Sequence, residues 1–267
     1  MARRLAPIAA FLIAIAPWQV RAADPDPDPQ AQAPPTARTA PPSTSTADFF
    51  FGPPRVWFSI RGSVLIPRAS GDLFTFVSDQ LTVDRSDLRA GGFGADFGTV
   101  LTPAFDLVIG FDMNRNETLS EYRHFIGSND QPITQQNQFR QSGLSTGIRF
   151  TPGGRGHRIS NYAFIPRRIT PFGGAGMSVA YYSFSQQGQF VDYTDLAIFT
   201  DRFTSDGWSV GPYLQGGADV QAWKHLFITF DARYTWMRSD HLDADFTGFE
   251  GIDLAGFRGG TGISIVF

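Results

Sequence analysis

Ser239, Asp240 and His241 stand side by side, with Glu250 a little further on. A hydrolase needs a nucleophile, a base and a group that orients the base, all within hydrogen-bond reach. Ser239 and His241 would share one face if the strand before them continued that far. The surrounding stretch, DHLDADF, is acidic and rich in turn formers, which reads as an ordinary surface loop. His124 and Ser128, four apart in another loop, make no better pair. Asp240, Asp243 and Asp245 carry oxygen donors suited to Ca²⁺, but they lack EF-hand spacing, and clustered aspartates usually just solvate a loop. Asn116-Glu117-Thr118 fits a glycan-acceptor pattern that nothing else in the chain makes use of. With no cysteine anywhere, thiol nucleophiles, thiolate metal sites, disulfides and a lipid-acceptor thiol are all excluded. The expectation is therefore no catalytic residue, no metal and no cofactor.

The elements around these residues say more. Arg3 and Arg4 precede an apolar stretch of 11 residues, Ala6 to Ala16, which Pro17 and Trp18 break before the small-residue site Val20-Arg21-Ala22. This is the pattern of an export signal covering residues 1–22, and the stretch is too short for a spanning helix of roughly 20 residues. Residues 23–54 follow, with Asp24 to Asp48 reading DPDPDPQAQAPPTARTAPPSTSTAD. Such a segment has too little to bury to offset its ordering entropy, and it reads as a disordered spacer. Loss of the signal removes three Arg and takes the formal charge from −3 to −6. Neither that charge nor any basic run suits a nucleic-acid partner.

From residue 55 to 267 the pattern has a period of two, which places successive side chains on opposite faces of a sheet. Phe58, Ile60, Val64 and Ile66 oppose Ser59, Arg61 and Ser63 in the first run. Seven more runs follow: Leu88 to Val100, a third through Leu107, Ile109, Phe111 and Met113, Gln138 to Phe150, Ile169 to Phe184, Gly207 to Gln221, His225 to Arg238, and Asp253 to Phe267. Short turns at Leu101–Ala104 and Ala222–Lys224 alternate with long polar spacers at Arg68–Asp87, Arg115–Asn137, Ser185–Asp206 and Ser239–Ile252. That alternation is expected of an all-β, membrane-spanning, antiparallel up-and-down barrel of eight strands. Phe74 to Val83 or Tyr122 to Ile126 would either extend strands beyond the membrane or hide a further hairpin, and ten strands is the alternative to eight. The basic spacer Thr151–Arg168 falls where a short turn belongs, and the pattern gives no account of it.

Periodicity does not say which face is outside, because a soluble barrel has the same period with its apolar side chains within. The charges decide. One face carries Arg61, Asp96, Asp106, Asp112, Arg149, Asp219, Asp231, Arg233 and Arg258, five acids against four bases. A lumen can pair them with one another and with water, whereas a dry apolar core could not hold them unpaired. The exterior of a soluble barrel would favour Lys and Glu, yet Lys224 is the only lysine. The other face sets aromatic residues near strand ends (Trp57, Phe105, Phe150, Tyr181, Trp208 and Trp236), where interfacial girdles would fall.

The final strand, Gly262 to Phe267, alternates Ile263, Ile265 and Phe267 up to an aromatic end. In this it resembles the small outer-membrane barrel superfamily that includes outer membrane proteins A, X and W. The opening Ile169-Thr-Pro-Phe-Gly-Gly-Ala-Gly176 is similar to strands of that family as well. The resemblance spans Arg55 to Phe267 and implies residence in the bacterial outer membrane among its lipid and lipopolysaccharide, with Phe267, Ile265 and Ile263 as the signal read by the barrel-assembly machinery. Some relatives pass small apolar molecules sideways into the membrane, and a few small barrels modify lipid A. No His-x-Ser pattern of the deacylase kind occurs here. An eight-stranded barrel is just wide enough for its own side chains, so the expected function is non-enzymatic: a plugged barrel displaying long extracellular loops for envelope integrity, adhesion or recognition, the extracellular ligand being unidentified. A narrow channel is the alternative, and a lipid A-modifying enzyme a remote one.

Overall fold

The computed structural model describes residues 50–267, apart from residues 128, 129, 161, 193, 241 and 247 and the side chain of Arg85. The expected export signal and most of the expected spacer lie outside the described residues, as do His241 and Ser128. In chain order the strands are β1 (Val56–Pro67), β2 (Ala90–Val100), β3 (Phe105–Ile126), β4 (Pro132–Phe150), β5 (Gly156–Ser160), β6 (Ala163–Pro166), β7 (Ile169–Val191), β8 (Ile198–Gln221), β9 (Leu226–Thr235), β10 (Arg238–Ser239), β11 (Ile252–Asp253) and β12 (Gly256–Val266). Eight of them close a barrel in the order β1-β12-β9-β8-β7-β4-β3-β2. The closing seam is antiparallel, from Trp57 opposite Val266 to Pro67 opposite Gly256. Closure leaves no edge within the belt, as a bilayer demands of a sheet.

The strand number settles at eight, and the two segments that kept ten open have other roles. Tyr122 to Ile126 prolongs β3. Most of Phe74 to Val83 belongs to a helix, α1 (Asp72–Gln80), followed by Leu81 and Val83 in the loop. Leu73, Phe74 and Val77 form its buried face, and with Leu81 they recur at helical spacing. The basic spacer is the β5–β6 hairpin, tied to the barrel foot by paired backbone bonds between Phe50 and Phe164.

On one side the barrel is taller. Pairing continues to Glu121 opposite Thr134, Gln135 opposite Gly188 and Val191 opposite Ile198, whereas β9 meets β8 only from Tyr213 to Gln221. β3, β4, β7 and β8 thus rise as a four-stranded wall above the rest. Its margins are covered by loops, which is how exposed sheet edges avoid foreign pairing. At β8 the backbone N–H groups of Thr204 and Asp206 donate to Asp245 (3.0 Å) and Asp243 (2.9 Å). At β3 the Asn116 amide donates to the carbonyls of Asp87 and Arg89, and Thr82 exchanges hydrogen bonds with Glu121.

Candidate functional site: the barrel lumen

The outer wall is apolar. Ile60, Ile109, Val210 and Phe230, on four different strands, are 57%, 53%, 58% and 52% exposed. The parity that turns them out turns the charges in: Arg61, Asp106, Arg149, Asp219 and Arg233 are nearly inaccessible. A closed sheet with a greasy exterior and a charged interior is the inverse of a soluble barrel. The chain is a membrane-spanning outer-membrane-type β-barrel.

Inside, the charges form two layers. The layer nearer the chain termini contains Asp106, Arg149 and Asp219. Arg149 pairs with Asp219 and lies 4.0 Å from Asp106. Its guanidinium is stacked 3.6 Å over the Phe172 ring, and Thr229 donates to the other oxygen of Asp219 at 2.9 Å. The second layer contains Arg61, Asp96, Asp112, Asp231, Arg233 and Arg258. Asp112 is the hub, meeting Arg61 at 2.5 Å, Arg258 at 2.6 Å and Arg233 at 3.0 Å. Arg61 also pairs with Asp96 and lies 3.9 Å from Asp231. Arg233 is held further by Gln215 (2.8 Å), by Ser145 (3.2 Å) and by the face of Tyr213, 4.4 Å away. Among the described residues, no ion pair joins one layer to the other.

Two residues depart from the sequence reading. Trp57 is not in a girdle. It is inside, 3% exposed, and donates its indole N–H to Asp106 at 3.2 Å. Strand parity requires this, because Phe58 and Ile60 face out. A Cβ on Gly98 would overlap the Trp57 ring, so the absent side chain there makes room for the indole. The second is Arg155, from the loop leading into β5, which was not among the lumen charges. It pairs with Asp106 and lies 3.7 Å from Asp219. It raises the terminal-side layer to two cations against two carboxylates, while the other layer holds three of each. Both layers are electroneutral. Nothing in the period-two pattern marks Arg155; only the basic character of its spacer, beside a run short of one cation, hinted at it.

Arg155→Ala will leave one carboxylate of its layer without a countercharge. The expected cost is about 1–3 kcal/mol, the penalty for stranding a buried polar group, read as a lower urea midpoint of the barrel in lipid vesicles. Asp106→Asn in the same chain should recover most of it; a variant as stable as the parent would show that Arg155 does not balance the layer.

Both mouths are closed by apolar clusters. Phe50, Trp57, Phe164, Phe227 and Val266 pack at the terminal end, with Phe50 stacked on His225 at 4.5 Å between ring centroids. At the other end Leu73, Phe74 and Val77 of α1 pack with Phe139, Tyr182, Phe184, Phe246, Ile252 and Leu254. Gaps beside Arg61 and beside Asp112 measure about 20 Å³ each, room for roughly one water.

Among the described residues, the remaining candidates each have separate partners. Ser239 is buried and accepts a hydrogen bond from the Tyr182 hydroxyl at 3.2 Å. Asp240 pairs with Arg238 at 2.9 Å, and the Glu250 carboxylate lies 3.9 Å from the same guanidinium. Asp243 and Asp245 serve the β8 margin. His124 sits in β3 in the wall. Asn116 binds loop carbonyls. Ile263, Ile265 and Phe267 face outward. Phe267 is fastened to the foot of β1, donating its N–H to Val56 and accepting from Arg55.

No protein-family model matches the sequence, and no curated protein matches it. Among solved structures, the outer membrane protein OprG from Pseudomonas aeruginosa is similar at 13% identity, over 82% of this chain and 99% of that one, with a TM-score of 0.44. Neisserial surface protein A matches at 11% identity over 82% and 97%, TM-score 0.41. Ail, the attachment invasion locus protein of Yersinia pestis, matches at 13% identity over 80% and 99%, TM-score 0.39, in a structure with the heparin analogue sucrose octasulfate.

Proposed function

We propose that this chain is a closed, non-enzymatic barrel of the outer membrane that works through the surface it presents outside the cell, in recognition, adhesion or envelope integrity. The observation that carries this reading is the filled lumen: two electroneutral charge layers between two apolar caps, with gaps of water size. A diffusion pore needs a continuous wet path, and an eight-stranded barrel packed in this way has none. The presented surface differs from four equal loops. The β1–β2 and β9–β12 connections fold back into the mouth, burying Leu73, Phe74, Phe246 and Ile252. What projects is the wall of β3, β4, β7 and β8, rich in Gln, Asn, Ser and Thr. Such groups offer hydrogen bonds without a large desolvation cost, on a rigid scaffold suited to recognition. In this reading the segment before residue 50 is a cleaved signal followed by a periplasmic spacer, lipopolysaccharide surrounds the wall's foot, and the β12 ending is recognised by the assembly machinery.

Conductance separates this reading from the channel alternative. The purified barrel in planar bilayers is expected to give no steady channels, and well-defined steps of porin size would overturn the closed-lumen reading.

A further inference from the structure

From residue 50 onward, every Asp and Glu side chain lies either in the lumen or at the long-loop end. The opposite end consists of residues 50–55, 101–104, 151–168 and 222–225. It carries five Arg, one Lys and two His, and no acidic side chain. Arg155 turns into the lumen. Arg55, Arg158, Arg167 and Arg168 are exposed, and among the described residues none of them reaches a carboxylate. Three of these cations stand at strand feet, Arg55 before β1 and Arg167 and Arg168 before β7; Lys224, between β8 and β9, stands at the same level with its ammonium 5.5 Å over the Phe51 ring. In the barrel order β1-β12-β9-β8-β7 they form one arc. The same arc turns out Phe267, Trp223 and Ile169, which are 65%, 72% and 62% exposed.

Aromatic and apolar side chains at strand feet mark the boundary of the hydrocarbon layer. Cations at that level face lipid headgroups, where each contributes about 1 kcal/mol toward an anionic surface. We propose that this arc binds the phosphate headgroups of anionic phospholipid in the inner leaflet. The proposal rests on the reading that both termini of the barrel face the periplasm. Anionic lipid is favoured over a soluble partner by placement: the arc is continuous with the apolar belt, so a lipid can fill both with one molecule.

The test uses the purified full chain, folded in non-ionic detergent and offered equal amounts of phosphatidylglycerol and phosphatidylethanolamine, with bound lipid counted by native mass spectrometry. A gel shift between boiled and unboiled samples confirms a folded barrel in each case. The expected result is retention of phosphatidylglycerol over phosphatidylethanolamine by roughly fivefold or more, given four cations in the arc. Substituting Arg55, Arg167, Arg168 and Lys224 by Gln together should bring the ratio near one, while Arg115→Gln with Arg140→Gln, at the other end, should leave it unchanged. Equal retention by the parent chain overturns the proposal, as does a preference that survives the fourfold variant. A preference that emerges only when Asp24, Asp26 and Asp28 are changed to Asn also overturns it, because the arc would then serve the chain's own acidic segment.

Discussion

Arg233→Met is expected to lower the unfolding free energy of the barrel by about 3–5 kcal/mol, the range found when one partner of a buried ion pair is removed. The guanidinium is nearly inaccessible and lies among Asp112, Asp96, Gln215, Ser145 and Tyr213. Methionine fills much of its volume, so the loss is one of charge balance more than of packing. Arg61 and Arg258 would remain against Asp96, Asp112 and Asp231, leaving the layer one positive charge short. Changing Asp96 to Asn in the same chain restores neutrality and should recover most of the stability. Asp219→Asn also removes one carboxylate from the lumen, but from the other layer, and should recover none. Urea unfolding in lipid vesicles measures all three. Equal rescue by the two Asn variants would refute separate layers and leave only the total lumen charge as the relevant quantity.

Ile60→Arg should cost about 2–4 kcal/mol and Leu101→Arg no more than about 1, following the depth dependence of cations on the lipid face of a barrel. Ile60 pairs with Ile263 and Ala95 within the belt, where a guanidinium meets only hydrocarbon. Leu101 lies in the β2–β3 turn, where a guanidinium reaches headgroups and water. The same unfolding assay reads both. In detergent micelles, which adapt their thickness, the gap between the two variants should narrow. A soluble barrel would abolish the difference, because Arg at a half-exposed surface position would be nearly neutral. If both variants are as stable as the parent, the outer face is not in lipid.

The belt and most of the lumen were legible because a membrane barrel keeps a strong contrast between its faces. Where one face must be apolar and the other polar, period two marks every strand, and Arg61, Asp96 and Asp112 fall inside by counting alone. That contrast ends at the headgroups. Above them both faces of β4 and β7 are polar, as in Thr134-Gln-Gln-Asn-Gln138 and Ser185-Gln-Gln-Gly-Gln189, so the strands continue without any change in hydrophobicity to report them, and the wall read as loop. Trp57 was placed by the habits of its residue type, although its parity with Ser59 and Arg61 pointed inward. For α1 the signal was present, in Leu73, Phe74, Val77 and Leu81, but a helix is not expected in a barrel loop until the open mouth it covers is considered. For Arg155 only the basic spacer and the missing cation gave a hint, because a contact between a hairpin and the lumen depends on how the chain turns back after β4, and no periodicity encodes that. Of the residues weighed for chemistry, Ser239 and His124 lie in strands rather than loops, and the work of Asp243 and Asp245 at the β8 margin and of Asp240 at Arg238 could not be told from spacing.

The membership of the three-against-three layer bears on how the molecule is assembled. Arg61 comes from β1, Asp96 from β2, Asp112 from β3, Asp231 and Arg233 from β9 and Arg258 from β12. A chain lacking only its last strand would hold three carboxylates against two guanidinium groups, with Asp112 deprived of one of its close partners. An open, seven-stranded intermediate is thus penalised electrostatically as well as by its unpaired margins, and docking of β12 removes both penalties in one event. Completion of the ring is thereby favoured over a stalled chain, whose open margins would flank an unbalanced carboxylate.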